Sequence, residues 1–143
     1  MKPKTYEGIF NQSGVIPYRI KNKKLELLII TSRNGRKWIF PKGIIEPDLT
    51  SEASAAKEAY EEAGVEGEVF PKSMAAYTYT KWRDKCRVEL YMMNVKKILK
   101  KWPESDFRER RWVSFEEALN LVQPNTLRKA LRKFPDFLES IHS

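Results

Sequence analysis

The 143-residue chain has one cysteine, Cys86, and one histidine, His142. A single cysteine excludes an intrachain disulfide and a Cys-cluster zinc site. The histidine is the penultimate residue, where chain ends tend to fray. Ser–His–Asp and Cys–His catalysis therefore lack a base, and an HExxH metal site cannot form. Long apolar runs are also missing: nothing approaches the roughly 18 residues a membrane span needs. The N-terminus, MKPKTYEGIF, has no apolar signal-peptide core. These absences predict a cytoplasmic protein without a membrane partner. Chemistry is left to carboxylates, lysine, arginine, tyrosine and metal.

What is present describes a globular chain, with 41% hydrophobic and 12% aromatic residues. The length predicts one domain, residues 1–143. With 27 basic and 19 acidic residues, the net charge is +8. Lysine-rich solvation accounts for part of it. The alternative is an anionic partner: a polyphosphate, a nucleic acid or an acidic surface.

Strands are predicted at Gly14–Arg19, Leu25–Thr31 and Trp38–Gly43, the first placed at an edge or bulge by Pro17. KNKK (21–24) and SRNGRK (32–37) read as turns. A helix is expected from Ser51 to Ala63, capped by Thr50 or Ser51 and stopped at Gly64. Ala55, Ala59 and Ala63 give it a small-residue stripe for close packing on a sheet. Further strands are expected at Glu66–Phe70, Met74–Thr80, Arg87–Val95 and Arg110–Ser114, with Lys96–Lys101 entering a loop. Ser114 and Glu117 form a capping box for a helix. Asn125 caps a last amphipathic helix carrying Leu127, Leu131, Phe134 and Leu138, which Pro135 kinks or ends. Strands mixed with a few helices make this an α/β (α+β) chain, a mixed sheet with helices on both faces.

The sharpest chemical signal is KEAYEEAGV, with Glu58, Glu61 and Glu62 close together on one helix. Positions i, i+3 and i+4 share a helix face, and like charges there repel. Such a cluster of oxygen donors is what a hard divalent cation such as Mg²⁺ binds, although a solvated acidic face reads the same in isolation.

At Gly43 to Val65 the chain resembles the Nudix hydrolases, whose signature is G-x5-E-x7-R-E-U-x-E-E-x-G-U, with U aliphatic. Gly43, Glu58, Ala59, Glu61, Glu62, Gly64 and Val65 match. The order around this segment also matches, from LELLIIT through WIFPKG to RRWVSFEEA. Leu49 stands where the first Glu is expected and Lys57 where Arg is expected. Lys57 keeps the cation but loses the bidentate fork of arginine. Asp48 is the candidate for the missing carboxylate, through a loop shift.

The resemblance implies the Nudix α/β/α sandwich and hydrolysis of a nucleoside diphosphate derivative or similar pyrophosphate. It implies Glu58 and Glu62 as principal Mg²⁺ ligands, with Mn²⁺ the substitute. Glu61 assists them or serves as the base, and the backbone carbonyl of Lys42 or Gly43 completes the site. A further ligand from a later loop is Glu104 or Glu109. GVIPYR, ITSR, IFPKG and the WPE–RRWV arrangement are similar to the diphosphoinositol polyphosphate and diadenosine polyphosphate hydrolase branch. That branch implies phosphate contacts at Ser32, Arg33, Lys42, Arg108 and Arg110, with Arg19 and Arg87 as weaker additions. Trp38 and Trp112 read as core residues and Cys86 as a packed thiol. Trp82, in the polar loop TKWRDK, is the candidate nucleobase contact. Two other functions compete: removal of pyrophosphate from the 5′ end of RNA, and phosphate binding without catalysis. Nucleic acid is the less favoured partner, because no RNP-like aromatic pattern is present.

Overall fold

The computed structural model describes residues 5–6 and 9–142. Its strands are β1 (Thr5–Tyr6), β2 (Ile9–Lys21), β3 (Lys24–Thr31), β4 (Trp38–Ile39), β5 (Lys42–Ile44), β6 (Val65–Val69), β7 (Ala75–Lys81), β8 (Asp84–Ile98) and β9 (Arg110–Val113). The helices are α1 (Ser51–Glu58), which runs on as a π-helical turn (Ala59–Ala63), then α2 (Phe115–Leu121), α3 (Asn125–Leu131) and α4 (Phe134–His142).

The strands form one mixed sheet, with β2 at its centre, parallel to β8 and antiparallel to β3 and β5. Alternation along the central strands divides the core in two. Ile16, Leu27, Ile29, Leu90 and Met92 face α2, α3 and α4, packing with Leu127, Leu131 and Phe134. Val15, Leu28, Ile30 and Met93 face the other way, onto Ala55, Ala59 and Ala63. All three alanines have no exposed surface, so the helix bearing the acidic residues lies directly against the sheet. The α/β/α sandwich is as expected.

Several boundaries differ from the sequence reading. Pro17 sits in the central strand, not at an edge. Along that side β2 changes partner, from β5 at Gln12–Gly14 to β3 at Tyr18–Lys21, and Pro17 falls in the gap, where no ladder bond is lost. Trp38–Gly43 is two short strands rather than one. The chain leaves β3 and crosses to β2 between them, and the Pro41 carbonyl accepts from the Val15 amide at 3.0 Å. Strand β8 continues to Ile98, absorbing residues assigned to a loop, because β6 pairs with it to that point. The last helix is two helices. Asn125 lies inside α3 behind Pro124, with its Oδ1 accepting from Arg128 instead of capping. Pro135 occupies the first turn of α4, where a missing N–H costs nothing.

Candidate active site

Thr50 caps α1, its hydroxyl accepting from the Ala53 amide at 3.1 Å. After Glu58 the helix widens into the π turn, and Gly64 ends it in the left-handed region at φ 66°. A 3.6-residue periodicity cannot announce such a turn, and single π turns recur at functional sites. Here it separates the carboxylates. Glu62 points inward, only 8% exposed, while Glu61 lies outside beside Lys57, at 3.6 Å.

Glu58 packs against the backbone of Gly43. A Cβ at Gly43 would displace the Glu58 carboxylate from where it lies, so the glycine keeps that carboxylate against the backbone. Glu62 accepts from the Lys42 amide at 3.1 Å and pairs with Arg108 at 3.3 Å. Arg108 is 7% exposed. It also bonds Glu104 at 2.8 Å and the Thr31 carbonyl at 2.9 Å. Burial, reinforced by the charges of Glu62 and Glu61, raises Glu58 to about 8. Burial also holds Glu62 above the usual carboxylate range, against the pull of Arg108 and the Lys42 amide. Burial lowers Lys42, whose ammonium donates to the Tyr79 hydroxyl at 2.9 Å. Tyr79 donates in turn to Gln12 at 2.8 Å.

Of these groups, Glu58, Glu62, Lys42, Tyr79, Glu104 and Arg108 line a cleft of about 780 Å³, and Glu61 does not. Glu58, Glu62 and Glu104 form its acidic wall, with Arg108 paired to the last two. Ser32, Arg33 and Lys37 on one loop and Lys81 on β7 give it a basic rim. Among the described residues, no three acidic, Cys or His side chains converge on one point as they stand, since Glu61 faces Lys57 and Glu62 faces Arg108. The donor chemistry nevertheless fits a hard divalent cation: all oxygen, half-buried to buried, with the proton affinities of Glu58 and Glu62 raised first by burial and then by neighbouring carboxylates.

Of the expected phosphate contacts, Ser32, Arg33, Lys42 and Arg108 line the cleft. Ser32 also organises its own loop, accepting from the Lys37 amide at 3.1 Å. Arg110 does not line it. Its guanidinium bonds the carbonyls of Ala63 (2.9 Å), Gly64 (3.2 Å) and Leu99 (2.5 Å) and stacks on Trp102 at 3.9 Å. It braces the end of the π turn from behind. Trp102 joins it there, donating to the Glu62 carbonyl at 3.0 Å. Arg19 and Arg87 are likewise outside the cleft, paired with Glu26 and Glu89. Of the two late-loop acids, Glu104 is in the wall, whereas Glu109 is exposed and outside it.

The carboxylate partner of Lys57 is Glu46, not Asp48. Glu46 lies three residues before Leu49, and its own amide donates to the Ser54 hydroxyl at 3.3 Å. The cation therefore has a partner despite both departures from the signature. Trp38 and Trp112 are half-buried against the two core layers, under Arg111 and Arg19 respectively. Cys86 is buried. The sequence reading missed Gln12, Asn34, Lys37, Tyr79 and Lys81 in the cleft. Alternation alone would have placed Tyr77 and Tyr79 on one face of β7, but not which face lines a cavity.

The model of the NUDIX domain matches residues 11–135. Nudix hydrolase 4 of Arabidopsis thaliana is 34% identical over 131 residues, covering 85% of this chain and 63% of that protein. Diphosphoinositol polyphosphate phosphohydrolase 2 of Rattus norvegicus is 32% identical over 119 residues, covering 82% and 65% respectively. The chain thus spans just under two thirds of the length of these two relatives. A solved C. elegans Ap4A hydrolase binary complex superposes with a TM-score of 0.74 at 22% identity, covering 91% of this chain and 98% of that one, a likeness of fold. From the domain match and the relatives together, the chain belongs to the Nudix family.

Proposed function

We propose that the protein is a Mg²⁺-dependent pyrophosphohydrolase acting on a polyphosphorylated small molecule: a dinucleoside polyphosphate, a diphosphoinositol polyphosphate or another nucleoside diphosphate derivative. One observation carries this reading. Glu58 and Glu62 are held half-buried to buried against the Lys42–Gly43 backbone, inside a cleft whose rim is cationic. The relatives named as hydrolases of phosphorylated small molecules support it.

Glu58 and Glu62 would hold the cation, with Glu104 beside them. Once bound, it would supply charge neutralisation of phosphate oxygens and a water of lowered pKa. Glu61, which stands outside the cleft lining beside Lys57, would leave that pair to take a proton from the attacking water, whose oxygen forms a bond to phosphorus. The bond from phosphorus to the bridging oxygen breaks, and the electron pair leaves on the departing phosphate. Arg33, Lys37, Lys42 and Lys81 hold the remaining phosphate charge. Arg108 positions Glu62 and Glu104. The Lys57–Glu46 pair weakens the case for a binding-only protein, which rested on the two signature departures.

The test is product formation from a panel of dinucleoside polyphosphate, diphosphoinositol polyphosphate, ADP-ribose and triphosphorylated RNA, in Mg²⁺ and in EDTA. Mg²⁺-dependent cleavage of a small-molecule member is expected. Cleavage of RNA alone, with a steep salt dependence, would replace this reading with the RNA one.

A further inference from the structure

We propose that Trp82 is a stacking platform for an aromatic base carried by the substrate, at the outer end of the cleft. The proposal rests on the hydrolase reading and narrows its substrate to one bearing a nucleobase.

Trp82 and Arg83 form the two-residue turn joining β7 to β8, closed by the Lys81–Asp84 pair. Both have positive φ, 50° and 72°. That reversal suits Asn–Gly, and bulky side chains are strained in it. The hairpin turn between β2 and β3 has the same backbone at φ 52° and 65° but starts with Asn22, a residue suited to it. The tryptophan therefore does not serve the turn. Nor does it serve the core: it is 86% exposed, the most open large hydrophobic side chain among the described residues. Strain kept at an exposed aromatic points to a contact made outside the fold.

The position says which contact. Along β7, Tyr77, Tyr79, Thr80 and Lys81 line the cleft, and Trp82, outside that lining, is the next residue, in the turn. Lys81 belongs to both, lining the cleft while its ammonium sits 5.0 Å from the Trp82 ring centroid. Two strand steps of about 3.4 Å carry the wall from Tyr79 to Lys81, and the turn bearing Trp82 begins there. A substrate with its reacting phosphates at Glu58 and Glu62, extended along β7, brings its far end to this ring. Every nucleobase has a π face that an indole can stack on, and Lys81 sits beside the ring for the adjoining phosphate. An inositol ring has no such face.

The experiment compares wild type, Trp82→Ala and Trp82→Phe on a dinucleoside polyphosphate and on a base-free diphosphoinositol polyphosphate. Binding of the same nucleotide is read separately by quenching of tryptophan fluorescence. The expected result for Trp82→Ala is a KM for the nucleotide raised about five- to a hundredfold, the range of one base stack, with kcat held. The loss should exceed that on the base-free substrate by the same factor, and Trp82→Phe should recover most of it. Equal losses on both substrates, or none on the nucleotide, would overturn the platform. Absence of turnover in wild type, with nucleotide quenching that Trp82→Ala abolishes, would overturn the hydrolase reading and keep the platform. Absence of both turnover and quenching would overturn both.

Discussion

The inner wall of the cleft and its outer rim are built on opposite terms. Glu58, Glu62 and Arg108 are held by the sheet, by a backbone amide and by each other, and their environment changes their chemistry. Ser32–Lys37 and the β7–β8 tip are exposed turns whose cations meet solvent. A buried charge changes sharply when a partner is removed, whereas an exposed one is screened and contributes little. On the proposed function, reaction and selectivity separate by depth, and substitutions should separate the same way.

The largest effect is expected at the wall. Glu62→Gln should lower kcat by about 10²–10⁴-fold, the range for losing one positioned acid–base or ligand group, with the circular dichroism spectrum unchanged. A folded Glu61→Gln/Glu62→Gln protein at wild-type rate would erase the distinction between wall and rim.

Arg108 and Arg110 sharpen it, because they are two residues apart in sequence with different tasks. Arg110→Met leaves carbonyls at the helix end unpaired and should cost about 1–3 kcal/mol in denaturant unfolding, with activity kept in the folded fraction. Arg108→Met should instead cut activity and raise the apparent acid pKa of the pH–rate profile, since Glu62 loses its cation. The same activity loss from both would mean that the brace and the wall are one unit.

The pH dependence comes next. Glu58 titrates near 8 in the fold against an ordinary 4.5, so the folded state binds a proton the unfolded state has lost. In EDTA, stability should fall as pH rises from about 4.5 to 8 on this group's account. A divalent cation competes with that proton. The rise in Tm with Mg²⁺ should be larger at pH 9 than at pH 6, which differential scanning fluorimetry reads directly. A rise independent of pH would place the cation elsewhere.

The smallest effect is expected at the outer pair. Lys57 and Glu46 are about two-fifths exposed, so Glu46→Gln should weaken Mg²⁺ affinity only a few-fold. Leu49→Glu with Lys57→Arg should leave activity unchanged or raised. A large loss there would mean the site has been rebuilt around its own pairing.

Much of this was legible in the sequence because it rests on local rules. The Thr50 cap, the Ser114–Glu117 box, Gly64 and the alanine stripe all stand where spacing put them. What spacing could not show was three-dimensional partnership. Arg110 and Arg108 look alike in RERRW, yet only tertiary contact sends one behind the π turn and the other into the cleft. Glu46 and Asp48 are equivalent carboxylates until the loop ending in the Glu46–Leu49 turn is folded. Pro17 read as an edge or bulge signal because proline cannot donate to a ladder, and only the sheet's topology reveals that the partner on that side changes partway along the strand.

The most direct test of the central claim is turnover of a dinucleoside or diphosphoinositol polyphosphate by wild type and Glu61→Gln, each with and without Mg²⁺. The account predicts Mg²⁺-dependent cleavage by wild type, lost by about two orders of magnitude or more in the variant. Equal turnover by both proteins, or cleavage that persists in EDTA, would contradict it.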